Sequence, residues 1–210
     1  MSVFPPARDA KLVQIMDTAL AEAARKSGEW LACRQGCTQC CVGPFAINQL
    51  DAARLRQGMA ALEKTDSRRG ASIRQRAKKS VARLRQLGFP GDPATGILPD
   101  NRDAENSEAE KQFEEFTARA DNEPCPALDP KTGACDLYAF RPMTCRVFGP
   151  PVRSEGGLGV CELCFHGATD EQIAACEMPV DPDGLEPRLV RELENTTGIR
   201  GETLVAFCVL

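Results

Sequence analysis

The chain has 210 residues and carries 11 Cys, against one His, one Tyr and one Trp. At about 5% cysteine it falls short of the roughly 8–10% of a small disulfide scaffold, and a chain this long can bury a core without such staples. Its 42% hydrophobic and 27% charged residues exclude wholesale disorder, and a net charge of −4 excludes a global pull toward nucleic acid. The cysteine excess is the one compositional anomaly, and it carries the functional argument.

The first thirty residues lack the basic stretch and apolar run of a secretory signal. No apolar run reaches the roughly 18–20 residues a membrane helix needs. The expectation is therefore a cytoplasmic protein with no membrane partner. In a reducing compartment, clustered thiols are metal ligands or redox groups more often than disulfides, and an odd total of 11 fits poorly with complete pairing.

In chain order, Leu12, Ile15, Met16, Leu20 and Ala23 recur at spacings of three and four, which predicts a helix over 7–31. The same pattern predicts helices over 48–63 (Leu50, Ala53, Met59, Leu62) and 71–87 (Ile73, Ala77, Val81, Leu84). The stretch from Thr65 to Gly70 reads as the turn of a helical hairpin. Residues 51–89 hold 11 basic and 3 acidic groups, while residues 90–124 hold 3 basic and 10 acidic ones. Two such blocks are expected to pair or to be solvated. Gly88 to Pro93 stops a helix and forms a loop, and 105–119 predicts a short acidic helix bearing Phe113 and Phe116. Beyond 124 the chain turns rich in Pro, Gly and Cys, with little apolar periodicity of its own. Helix returns at 185–196, with Pro187 placed early as a residue of the first helical position. The tail from Gly201 to Leu210 reads as a short strand or a buried helical turn.

The cysteines fall into runs. The first is Cys33-x3-Cys37-x2-Cys40-Cys41. Thiolates gathered this closely repel one another unless a cation neutralises them, so the spacing points to metal or iron–sulfur ligation. On a helix the vicinal pair Cys40 and Cys41 diverges by about 100°, and on a strand it points to opposite faces. Two metals, or one ligand with a supporting thiol, is the natural reading of that pair. A second group comprises Cys125, Cys135 and Cys145, and a third is Cys161-x2-Cys164 beside a glycine cluster. Nine thiols could serve two four-coordinate ions or one polynuclear cluster. Cys176 and Cys208 sit among apolar residues and read as core. His166 is a weaker ligand candidate, and Arg141 and Arg146, flanking Cys145, could offset thiolate charge. The C-x3-C-x2-C spacing also occurs in radical enzymes that use S-adenosylmethionine, but no alternating strand–helix pattern follows it here.

Taken together, C-x3-C-x2-C-C, then Cys125-Pro126-x-Leu128, a spaced Cys, and Tyr138-x2-Arg141-Pro142-x2-Cys145-Arg146 resembles the YkgJ-type cysteine-cluster family of bacterial proteins. The resemblance implies a zinc- or iron-chelating domain in which Cys33, Cys37, Cys40, Cys41, Cys125, Cys135 and Cys145 match the family's cysteine positions. Cys161 and Cys164 join the ligand set by their spacing. A related branch looks like the flagellin lysine N-methylases, but this chain has no glycine-rich strand–turn–helix for a methyl donor.

The resulting expectation is a mainly α fold with an irregular, Cys-rich, metal-organised region. It forms a single domain over 1–210 with a helical insertion at about 48–120. The expected function is binding of zinc or iron, including an iron–sulfur cluster, through nearly all-sulfur sites. An iron–sulfur redox enzyme or electron carrier and a zinc-stabilised nucleic-acid binder using Arg68 to Arg85 are the alternatives. Nucleic acid is disfavoured because that segment lacks aromatics for base stacking. No nucleophile–base pair, carboxylate pair or phosphate loop emerges, so no catalytic residue is assigned and no protein partner is named.

Overall fold

The computed structural model describes residues 4–34, 36–99, 107–154 and 156–210. The fold is mainly α, and among the described residues the strands are two or three residues long and paired in twos. The chain divides into two compact units. One consists chiefly of Thr38–Pro142 and Val190–Leu210, and the other of Pro6–Cys37 and Met143–Leu189.

The first unit is built on a helical hairpin. Helix α2 (Gln49–Thr65) starts at Asn48, whose side chain accepts the Asp51 amide at 3.0 Å. Helix α3 (Ser67–Gln86) follows after a single residue. Asp66 does both jobs at that junction: its amide donates to Leu62 to close α2, and its carboxylate accepts the Arg69 amide to open α3. The turn expected over Thr65 to Gly70 is thus one residue, and Gly70 lies inside α3. A Cβ at Gly70 would come within 2.6 Å of Glu63 Cγ, so the Glu63 side chain lies against the bare backbone there.

Ala52, Leu55 and Met59 of α2 meet Ile73 and Ala77 of α3, together with Ile47, Val205, Cys208 and Val209. Ala127 and Leu137 from the Cys-rich region join the same core, which ties that region to the hairpin by apolar contact. Farther along α3, Val81 and Leu84 pack with Leu98, Leu204 and Phe116 of α4 (Ser107–Arg119). Residues 105 and 106 of the expected acidic helix lie outside the described residues. The tail resolves its two readings by being both: β4 (Thr203–Leu204) pairs antiparallel with β1 (Ala46–Ile47), and α8 (Val205–Cys208) follows directly.

The second unit contains α1 (Asp9–Ser27), which ends at Gly28 with a positive φ of 51°, a conformation glycine adopts without cost. Leu12, Met16 and Ala23 are its buried stripe. It packs with α5 (Met143–Val147), whose Arg146 is buried and paired with Asp17 at 2.5 Å. Strands β2 (Val152–Ser154) and β3 (Gly157–Gly159) form a small antiparallel pair. Helix α6 (Asp170–Ala175) begins with a capping box between Thr169 and Gln172. The division between units falls within α7 (Leu185–Thr197). Asp181 accepts the Leu185 and Glu186 amides at its start, and Pro187 is the third helical residue rather than the first.

Candidate metal centres

In the first unit, Cys40 and Cys41 lie in a 3-10 turn (Gln39–Cys41), with the Cys41 amide donating to Thr38 at 2.8 Å. The chain then runs antiparallel to the segment before Cys125. Val42 bridges to Pro124, the Gly43 amide donates to Glu123, and the Cys125 amide donates to the Cys41 carbonyl at 2.8 Å. That ladder fixes Cys41 beside Cys125. From Cys125 the chain turns back on itself through Asp129, whose carboxylate accepts the Lys131 amide and the Thr132 hydroxyl. Leu128 bridges to Cys135 across this turn. Four thiols, distant in sequence, therefore gather in one unit: Cys40, Cys41, Cys125 and Cys135.

Their electrostatics are those of a crowded set. The Cys41 thiol hydrogen-bonds to the Cys40 sulfur, and this, assisted by the Arg141 guanidinium and against burial, lowers Cys40 to about 6. The same bond holds the proton on Cys41, and burial and the neighbouring Cys40, Cys125 and Cys135 push that thiol up further. Burial raises Cys125 to about 12, and raises Cys135 as well. Such a set cannot ionise fully unless a cation compensates it. Arg141 is buried, lies 4.0 Å over the exposed Tyr138 ring, and donates to the Tyr138 carbonyl at 2.9 Å. The vicinal pair, expected to diverge, is instead joined by a thiol–thiol hydrogen bond.

The second unit holds the remaining five candidates. Cys33 is exposed, and its thiol faces the Phe148 carbonyl at 3.9 Å. Gly149, with φ of +115°, sits directly against it: a Cβ there would come within 3.0 Å of Cys33 Cβ. Cys145 lies on α5, three residues before Phe148. The Cys161-x2-Cys164 knuckle closes with the Cys164 amide on the Cys161 carbonyl at 2.8 Å. The Phe165 amide donates to Trp30, which brings the knuckle against Trp30, Leu31 and Ala32 just before Cys33. The Cys161 thiol is raised, first by burial and then by Cys164 and Cys37, so these three thiols share one electrostatic neighbourhood.

Cys176 and Cys208 are buried, each in an apolar cluster, as their sequence context suggests. His166 is exposed. Among the described residues, no three His, Cys, Asp or Glu side chains are placed so as to hold one metal ion. The donor chemistry fits a soft cation nonetheless, since every candidate is a sulfur. Zinc–sulfur bonds of about 2.3 Å in a tetrahedron put sulfurs roughly 3.8 Å apart.

One site feature escaped sequence reasoning. Arg83 pairs with Glu123, as opposite charge blocks should, but Arg69 and Arg76 both pair with Asp136, beyond the acidic block, and Arg74 pairs with Glu63 inside the basic one. The available signal was an acidic residue directly after Cys135.

Residues 91–165 match the model of the CxxCxxCC family, described as a "Putative zinc- or iron-chelating domain". Over this stretch the chain is similar to that family. It holds Cys125, Cys135, Cys145, Cys161 and Cys164, while the run from Cys33 to Cys41 precedes it and is spaced C-x3-C-x2-C-C. The match supports metal binding in general. No curated protein and no solved structure matches the chain.

Proposed function

We propose that this protein binds zinc or iron through clustered cysteines, in two thiol groups, one within each compact unit. One group is Cys40, Cys41, Cys125 and Cys135. The other draws on Cys33, Cys37, Cys145, Cys161 and Cys164. The observation that carries this reading is the gathering of four thiols from separate segments around the Cys41–Cys125 backbone ladder. Four cysteines are the ligand number of a tetrahedral zinc or iron ion and equally of an iron–sulfur cluster. All-sulfur donors disfavour magnesium, calcium and manganese. In a reducing cytoplasm these thiols remain free to ligate.

Purification without oxygen, followed by metal analysis and an absorption spectrum, tests the proposal. Zinc in a colourless protein, or iron with visible absorption that bleaches on reduction, is the expected result and assigns the metal. A chain holding neither zinc nor iron, and taking up neither when supplied, would overturn it.

A further inference from the structure

We propose that a stripe of three arginines on α3, namely Arg69, Arg76 and Arg83, positions the thiol group of its own unit, a reading that rests on the metal-binding function above. Residues seven apart on a helix fall within about 20° of one face, so the three side chains form a single line. Each grips a polar group beside a thiol. Arg83 holds both oxygens of Glu123, two residues before Cys125, at 2.7 and 2.6 Å. Arg76 donates through Nε to the Pro126 carbonyl, directly after Cys125, at 2.8 Å, and through Nη2 to Asp136, directly after Cys135, at 2.6 Å. Arg69 takes the other oxygen of Asp136.

One guanidinium thus spans the residues next to Cys125 and Cys135. The Asp136 side chain is only 2% exposed, so its charge is held where burial would otherwise oppose it. Glu123 extends the grip, because its carbonyl accepts the Gly43 amide in the ladder that carries Cys41. The stripe therefore holds the Glu123 side chain before Cys125, the carbonyl directly after it and the residue after Cys135, and reaches the strand leading from Cys41 only through Glu123. Groups that orient metal ligands from behind typically change affinity by 10–100-fold when removed. This assigns the basic hairpin a role that its charge alone did not: a rigid template for the thiols rather than a surface for polyanions.

The test uses the full chain in two backgrounds. With Cys37→Ser and Cys161→Ser, the zinc that remains reports the Cys40, Cys41, Cys125 and Cys135 group. With Cys40→Ser and Cys125→Ser, it reports the other group. Arg76→Met and Arg76→Lys are placed in each, and zinc retention is titrated against a competing chelator alongside thermal unfolding of the metal-free chain. Arg76→Met should weaken zinc binding by about tenfold or more in the first background and leave the second unchanged. Lysine keeps the charge but lacks the planar fork that reaches two acceptors, so Arg76→Lys should fall between. If Arg76→Met does not fold, Arg76→Lys carries the same comparison. Unaltered zinc affinity with a lower unfolding temperature reduces the stripe to structural ion pairs and overturns the proposal, as does an equal loss in both backgrounds. A parent chain that binds no zinc or iron overturns the metal-binding reading itself, which is a separate result.

Discussion

Cys208 and Cys41 both hold their protons tightly, for different reasons. Cys208 is enclosed by the core of α2 and α3, and burial pushes its thiol up to about 12. A thiol so placed is neither a ready nucleophile nor a ready ligand. Alkylation of the native, metal-free protein should therefore modify the exposed Cys33 early and leave Cys208 unmodified until the chain unfolds, as peptide mass analysis would show. Glu63 gives the corresponding acid-side prediction. Its hydrogen bond to Arg74 lowers the carboxyl below the ordinary 4.5. A depressed folded pKa contributes stability above the unfolded value, and that contribution is lost as pH falls through the folded one. Unfolding curves should therefore show a loss of stability below about pH 4.5 that is smaller in Glu63→Gln. An equal loss in both proteins would place the acid sensitivity elsewhere.

The helical hairpin shows how far periodicity carries and where it stops. Leu50 to Leu62 and Ile73 to Leu84 marked α2 and α3, because helices that bury one face repeat their apolar residues at spacings of three and four. The beginning of α3 was misplaced because Gly70 looks like punctuation, when it is a point of close contact with Glu63. The arginine stripe is visible as a spacing of seven, yet Asp136 stands 60 residues from Arg76, and nothing local announces such a partner. Gly58 within α2 is a similar case. Alanine is the better helix former by about 1 kcal/mol, so propensity alone predicts stabilisation by Gly58→Ala. A Cβ at that position would lie 2.6 Å from the Phe140 ring, in the turn that leads to Arg141. Overpacking of this kind costs roughly 1–3 kcal/mol, so the variant should be less stable than the parent by denaturant unfolding. Asp66→Ala should also destabilise, by about 1 kcal/mol, through loss of the cap that opens α3.

Across the whole chain, eleven cysteines read as nine candidate ligands and two core residues; the structure buries Cys176 and Cys208 in apolar clusters, buries Cys164 beside Cys176, and divides the nine between two compact units. The members of the run from Cys33 to Cys41 are close in sequence, which leaves open which of them share a site. Its first two thiols belong to one compact unit and its last two to the other. Sequence proximity could not reveal this, since the partners that complete each group lie about a hundred residues downstream and are placed by backbone pairing, as in the Cys125 amide donating to Cys41. The partition makes a prediction about stoichiometry that a single polynuclear cluster does not. Cys40→Ser with Cys125→Ser should remove the metal of one group and leave the other, and Cys37→Ser with Cys161→Ser should do the reverse. The two losses should add when combined, as measured by metal per chain after exhaustive buffer exchange. Stability should follow the same rule, because a ligand that binds only the folded state stabilises it by RT ln(1 + [L]/Kd), so each pair of substitutions should abolish part of the metal-dependent rise in unfolding temperature. If either pair alone empties the whole chain of metal, the thiols form one cooperative centre, and the division into two groups is wrong.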